Sequence, residues 1–466
     1  MGRAIVSVGP ARAAVPPGYP SPASGGGARD GGGGGGSGCP PDAPDATDTA
    51  PDVAPAARTA ARAGGASLWS GTFLTLFGTN VCLFGSMNML LATMPVHFKD
   101  HGMTEAMIGI IFGAFFASSI CSRLKTGRLS ARLGELGLLK GALLTAALGN
   151  ALMLSGDSFP VYLLTRLVNG AGIGAATTLM ISLASKIIPA SRLAEGLGRL
   201  ALGASLALAF GPLLGLRVAG SCGFPVLLAS TCLLLTFAFL AVATRTPPDF
   251  ASEDGGAGAP REAGAPAAPA SRGAGLPGRE ILYPAFLVLL LGAACCGIFT
   301  YLVLYLDELG IDGAGTFFFI ATLGIVVTRL AGGRIHDRMG HMFVIVPSAL
   351  LLMGSLLILL AFPGPLAANV AAGCYGLGMG ALFPSLQAII ISYAPPDRRT
   401  LAAALFLNGY DVGYLLNTVA MGFLAGLFHT YRAVYAATPL FMVAVILVYT
   451  LNPVFDRGRR GMTAAV

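Results

Sequence analysis

Charge is what this sequence has least of. Asp, Glu, Lys and Arg make up 11% of its 466 residues and hydrophobic residues 55%, and the mean hydropathy is +0.74. Soluble globular domains carry about 25% charged and about 45–50% apolar residues. A water-soluble core is therefore excluded, and lipid must take up the apolar excess. The eight cysteines lack metal-ligand spacing, and Cys82, Cys121, Cys232, Cys295, Cys296 and Cys374 lie inside apolar runs, where they read as small hydrophobes rather than as a disulfide framework. His97, His101, His336, His341 and His429 fall in loops or at the ends of apolar runs without the spacing of a metal site. Solvated histidines and no metal are expected. The glycine clusters at 170–174 and 376–380 are not followed by Gly-Lys-Ser or Gly-Lys-Thr, so nucleotide hydrolysis is excluded; no cofactor is called for, and the chain is not expected to be an enzyme. The net charge of +7 has no aromatic-interleaved basic stripe behind it, which argues against a nucleic-acid partner.

What is present is a succession of long apolar runs. Residues 1–66, with a six-glycine run at Gly31–Gly36, cannot bury enough apolar surface to offset chain entropy and are expected to form a disordered tail. The patch Ala4–Val8 is too short for a secretory signal, and Pro10 closes it. Runs long enough to cross about 30 Å of hydrocarbon then follow near 72–95, 106–125, 137–155, 160–185, 200–218, 224–244, 282–306, 314–333, 343–362, 366–392, 400–427 and 431–452. Each must be helical, because backbone polar groups in lipid need internal partners. The organisation expected is a six-helix bundle over 67–245, a linker over 246–280, a second six-helix bundle over 281–455 and a tail over 456–466. Arg123, Lys125, Arg128, Arg132, Lys140, Lys186, Arg192, Arg199, Arg329, Arg334, Arg338, Arg398, Arg399, Arg457, Arg459 and Arg460 fall on one side of these spans, against Lys99, Arg217 and Arg432 on the other. That bias makes the first side cytoplasmic. A multi-pass protein of the plasma membrane with both termini inside is expected.

The two halves repeat each other. Ser122 to Gly134 aligned with Thr328 to Gly340 gives six identities in thirteen positions. The same offset of 206 sets Gly170, Gly172 and Gly174 over Gly376, Gly378 and Gly380, Pro189 over Pro395, Gly203 over Gly409 and Gly220 over Gly426. One register held across about 100 residues marks parallel copies of one unit, as in transporters whose halves are related by an axis along the membrane normal.

These residues resemble the major facilitator superfamily, whose loop between the second and third helices reads G-x-x-x-D-R-x-G. The second half matches it in full through Gly333, Asp337, Arg338 and Gly340; the first matches at Gly127, Arg132 and Gly134 but carries Ala131 for the aspartate. Arg166-x-x-Asn169-Gly170 resembles the R-x-x-Q-G motif of proton-driven exporters, with Asn for Gln. Gly211-Pro212-x-x-Gly215 resembles their G-P-x-x-G-G motif, with Leu216 for the last glycine. The resemblance implies an all-α polytopic fold of twelve helices in two pseudo-symmetric bundles. It also implies alternating access, a small-molecule substrate, protons as coupling ion, and a monomer in the bilayer. Ordinary small-residue packing is the alternative for the glycine motifs.

Two charges stand inside spans. Arg166 lies about six residues into the fourth span, where an unpaired charge costs about 3 kcal/mol, so function is its first reading and snorkelling to the interface its second. Asp411 lies near the middle of the eleventh span, where a carboxyl that gains and loses a proton is what proton coupling needs; a structural hydrogen bond with Asn408 or Tyr410 is the alternative. An Arg166 to Asp411 pair is conceivable. By the family's geometry the cavity candidates are Asn80, Asn88, Asn169, Tyr301, Tyr305, Tyr375 and Gln387. Uncharged amides beside aromatics suit a neutral, zwitterionic or amphipathic solute. Uptake, or a non-transporting receptor or assembly factor on the same scaffold, are the competing readings.

Overall fold

The computed structural model describes residues 69–188, 192–246, 249, 279–339, 342–392 and 399–451. The tails 1–66 and 456–466 and nearly all of the linker 246–280 lie outside them. Among the described residues thirteen helices follow in order: α1 Gly71–Asp100, α2 Glu105–Leu133, α3 Glu135–Ala151 with a 3-10 turn Leu152–Ser155, α4 Phe159–Ile187, α5 Leu193–Cys222, α6 Phe224–Ala243, α7 Arg279–Glu308, α8 Ala314–Met339, α9 Met342–Ala361, α10 Pro365–Ser392, α11 Arg399–Phe428, α12 Arg432–Ala437 and α13 Pro439–Leu451. Pro439 divides α12 from α13, which together form the twelfth span. Among the described residues eleven helical stretches are long and apolar enough to cross a membrane, and α8 supplies a shorter one, Ala314–Arg329. The twelve runs read from the sequence are these helices.

The helix ends follow local chemistry. Ser70 and Thr104 cap α1 and α2 by accepting from the amides of Phe73 at 3.1 Å and Met107 at 3.3 Å. Gly134 at φ 74° and Gly223 at φ 86° are each the single residue between two helices. A one-residue reversal of this kind needs the left-handed region that glycine enters without strain. The ends of α2, α4 and α6 and the starts of α1, α3 and α5 form a basic face; the opposite ends form a face sparse in basic residues.

Internal repetition is realised contact for contact. Gly170 and Gly174 of α4 lie against Phe115 and Ser119 of α2, and Gly172 lies against Ala142 and Ala146 of α3. At the offset of 206, Gly376 and Gly380 of α10 lie against Ala321 and Ile325 of α8, and Gly378 lies against Ser348 and Leu352 of α9. Lipid gives helices no hydrophobic reason to associate, so close backbone approach at small residues carries the packing. In each half, too, the first helix packs on the fifth.

The two most extensive joints between the halves are α2 on α11 and its counterpart α5 on α8, with a smaller contact of α1 on α7. At the first, Gly109 meets Thr418 and Gly422, and Gly113 meets Val419 and Leu415. At the second, Gly315 meets Leu213, and the rings of Phe210 and Phe319 lie 6.0 Å apart. Lys99 stands 4.9 Å over the Tyr431 ring. These contacts run along the sparse-face half of the molecule.

Candidate transport site

At the basic-side end of each joint is an arginine. Arg123 of α2 donates through Nη1 to Asp411 Oδ2 of α11, and Asp411 is only 7% exposed. Arg329, the repeat equivalent of Arg123, donates through Nη1 to Ser205 Oγ at 2.7 Å. Ser205 stands where the offset of 206 places Asp411. The two joints are thus the same construction, with a carboxylate in one and a hydroxyl in the other. Arg123 is not the loop residue that the charge count makes of it. The helix α2 continues to Leu133 instead of ending near 125, which leaves Arg123 ten residues inside it, about 15 Å from its end by helical rise. Asp411, twelve residues beyond the start of α11, is at a similar depth, and its partner is Arg123 rather than Arg166.

Arg166 is 3% exposed, so it does not snorkel. Its guanidinium lies 4.3 Å from the Phe115 ring and 5.5 Å from that of Phe112, a cation–π setting suited to a desolvated cation. Nη1 donates to Asn169 Oδ1 at 3.2 Å, and Nε has no partner. Among the described residues no carboxylate forms an ion pair with it. Asn169 is held in turn through Nδ2 by the Ala146 carbonyl at 3.0 Å and Asn150 Oδ1 at 2.8 Å. Asn150 Nδ2 reaches Ser86 Oγ at 3.1 Å and Thr231 Oγ1 at 3.3 Å. Asn150, 1% exposed, therefore ties α1, α3, α4 and α6 behind Arg166.

The other amides and phenols are mostly committed to neighbouring helices. Asn80 donates to the Leu200 carbonyl at 2.7 Å and Asn88 to that of Phe84 at 2.8 Å. Tyr301 donates to the Thr418 carbonyl at 2.6 Å and Tyr305 to that of Leu359 at 3.0 Å. Tyr375 is buried with its hydroxyl unpartnered, and Gln387 is half-buried. Gly211 and Gly215, flanking Pro212 in an unbroken α5, lie against Asn88 and Met89 of α1.

Gly127 and Arg132 of the first signature copy are helical, in the last turns of α2, and Gly134 closes that helix. Where this copy lacks the aspartate, Glu135 at the head of α3 takes Lys186 Nζ at 3.0 Å and the Ser182 hydroxyl at 3.1 Å. Gly333, Asp337 and Arg338 continue helix α8, and Gly340 lies outside the described residues. Arg123, Asn150 and Ser205 were missed from sequence. The repeat offset carried the signal for two of them, since it sets Arg123 over Arg329 and Ser205 under Asp411.

The family model of the Major Facilitator Superfamily matches residues 76–380 and 370–465. The chain belongs to the Major Facilitator Superfamily. It is a membrane transporter rather than an enzyme. A staphylopine export protein from Staphylococcus aureus (strain Mu50 / ATCC 700699) is 22% identical over 377 residues, covering 77% of this chain and 90% of that protein. The solved nucleoside transporter NupG superposes with a TM-score of 0.62 at 13% identity, over 82% of this chain and 97% of its own. A bacterial homologue of the human lysosomal transporter Spinster, inward-facing and unoccupied, gives 0.63 at 16% identity, over 83% and 97%. At these identities the structures speak for the fold of this facilitator.

Proposed function

We propose that this transporter exports a small organic solute in exchange for protons, that its basic face is cytoplasmic, and that Asp411 is the coupling carboxyl. The observation that carries the reading is the Asp411–Arg123 ion pair, which spans the joint between the two bundles. Alternating access rocks one bundle against the other about a site at mid-membrane depth. That motion pulls the pair apart, and separating a buried ion pair leaves two uncompensated charges, at about 3–5 kcal/mol. A proton on Asp411 removes one of those charges. The protonation state of one residue then biases which side of the joint opens, as a ligand biases any two-state equilibrium. Arg166, buried on α4 against the α2 phenylalanines of the same joint, is assigned to gating: its unpartnered Nε is free to take an acceptor in the alternate state. Of the cavity candidates, Tyr375 and Gln387 retain polar atoms for a solute. The export direction is supported by the named export protein, which aligns along most of this chain.

The test uses inside-out vesicles carrying the full chain, with an acidified lumen, and a panel of drugs, amino-acid derivatives and metal-chelating metabolites. Solute-dependent loss of the pH gradient is expected in the wild type and not in Asp411→Asn. Equal loss in both proteins would remove Asp411 from coupling. Movement of protons and solute in the same direction would assign uptake in place of export.

A further inference from the structure

On the sparse face, the end of α1, the turn before α4 and the first turn of α4 bring together four side chains that the transport site does not use. His97 and His101 are one helical turn apart with ring centroids 4.1 Å from each other. Asp157 Oδ1 lies 3.6 Å from His97 Nε2, and Asp157 Oδ2 lies 3.7 Å from His101 Nε2. One ligand atom from each of the three residues lies within 4.8 Å of the other two. Tetrahedral coordination with bonds of about 2.0–2.1 Å holds ligand atoms about 3.3–3.5 Å apart; the two His-to-Asp contacts, one to each carboxylate oxygen, are slightly wider than that, so the set closes on an ion by small side-chain rotations.

The surroundings hold these groups in place. His101 Nδ1 stands 2.8 Å from the His97 carbonyl; its N–H donated there leaves the Nε2 lone pair facing Asp157, the second-shell arrangement that sets a ligating tautomer. Tyr162 donates its one proton to Asp157 Oδ1 at 2.7 Å and accepts from His97 Nε2 at 3.1 Å; ligation by Nε2 replaces that contact and moves the imidazole proton to Nδ1. Phe224 stacks on His97 at 3.6 Å and 7° between planes, so the ring is oriented before any ion arrives. The side chains of His101 and Asp157 are 36% and 53% exposed, which leaves an entry path from solution. The i and i+4 spacing of His97 and His101 falls at the C-terminal end of α1, with His101 as its cap, and the turn between α3 and α4 supplies the carboxylate.

We propose that His97, His101 and Asp157 form a binding site for a divalent transition-metal ion of the zinc class, with water or a solution ligand as fourth donor and Tyr162 positioning the carboxylate. All three ligands belong to one bundle, so the site persists through the transport cycle.

Co2+ titration of the purified full-length chain, with any polyhistidine tag removed, is the test. Tetrahedral Co2+ absorption that Zn2+ displaces, together with a rise in melting temperature on adding Zn2+, is expected in the wild type. Both should vanish in His101→Ala and in Asp157→Asn, whose side chains are largely exposed. Tyr162→Phe should weaken binding about 10- to 100-fold. Absence of the band in the wild type, or its survival in both ligand variants, which would place the ion at another site such as the cysteines, overturns the proposal.

Discussion

A buried amide that joins four helices has more resting on it than its own two or three hydrogen bonds. Replacing Asn150 with leucine removes the donors to Ser86 and Thr231 and the acceptor for Asn169, leaving three buried polar groups to be satisfied by others. Each such group costs about 1–3 kcal/mol when stranded. Asn150→Leu is therefore expected to lower the melting temperature of the purified protein and to weaken solute flux, because Asn169 is the hydrogen-bond partner of Arg166. Asn150→Asp, which keeps the acceptor for Asn169, should restore part of both. At this scale little of the site was legible in the sequence. Asn80, Asn88 and Asn169 could be read as polar residues inside spans. Whether an amide faces a cavity or a neighbour's carbonyl depends on helix rotation, and helices so uniformly apolar give almost no amphipathic signal to fix it. Asp157 lies 56 residues beyond His101 in the chain, so only folding shows that His97 and His101 have a carboxylate between them.

Among the elements, the glycines show where position rather than composition decides. A Cβ at Gly172 would lie 2.7 Å from the Ala142 carbonyl oxygen and 2.8 Å from Ala146 Cα, whereas one at Gly141 of α3 would meet nothing within 4 Å. Gly172→Ala must push α4 away from α3, at about 1–3 kcal/mol by analogy with overpacked cores. Gly141→Ala gains helix propensity, up to about 1 kcal/mol. The two substitutions are chemically the same and are expected to move the thermal midpoint in opposite directions. Helix number, order and repeat register were legible at this scale, since membrane thickness dictates run length and the offset of 206 carries the contacts of Gly170, Gly172 and Gly174 onto those of Gly376, Gly378 and Gly380. The end of α2 was not. Its segment Lys125 to Arg132 is polar enough to read as a loop, yet α2 runs on through it to Leu133, and that continuation moves Arg123 from the surface into the joint.

For the whole molecule, pseudo-symmetry poses a direct question about the two joints. In a symmetric rocking device the α2–α11 and α5–α8 joints would resist opening equally, but here one contains Arg123 with Asp411 and the other Arg329 with Ser205. Ser205→Asp gives the second joint a carboxylate beside Arg329. A charged hydrogen bond is worth about 1.5–3 kcal/mol, and each 1.4 kcal/mol is a factor of about ten in an equilibrium constant. Stabilising the conformation described here by that amount is expected to raise the melting temperature and to slow solute flux in proteoliposomes about 10- to 100-fold where opening of this joint limits turnover. The converse change, Asp411→Ser, makes both joints arginine–hydroxyl pairs; it should retain solute exchange and lose its dependence on the proton gradient. If Ser205→Asp left flux and melting temperature unchanged, the α5–α8 joint would not be one that opens during transport. The asymmetry between Asp411 and Ser205 would then have no part in coupling.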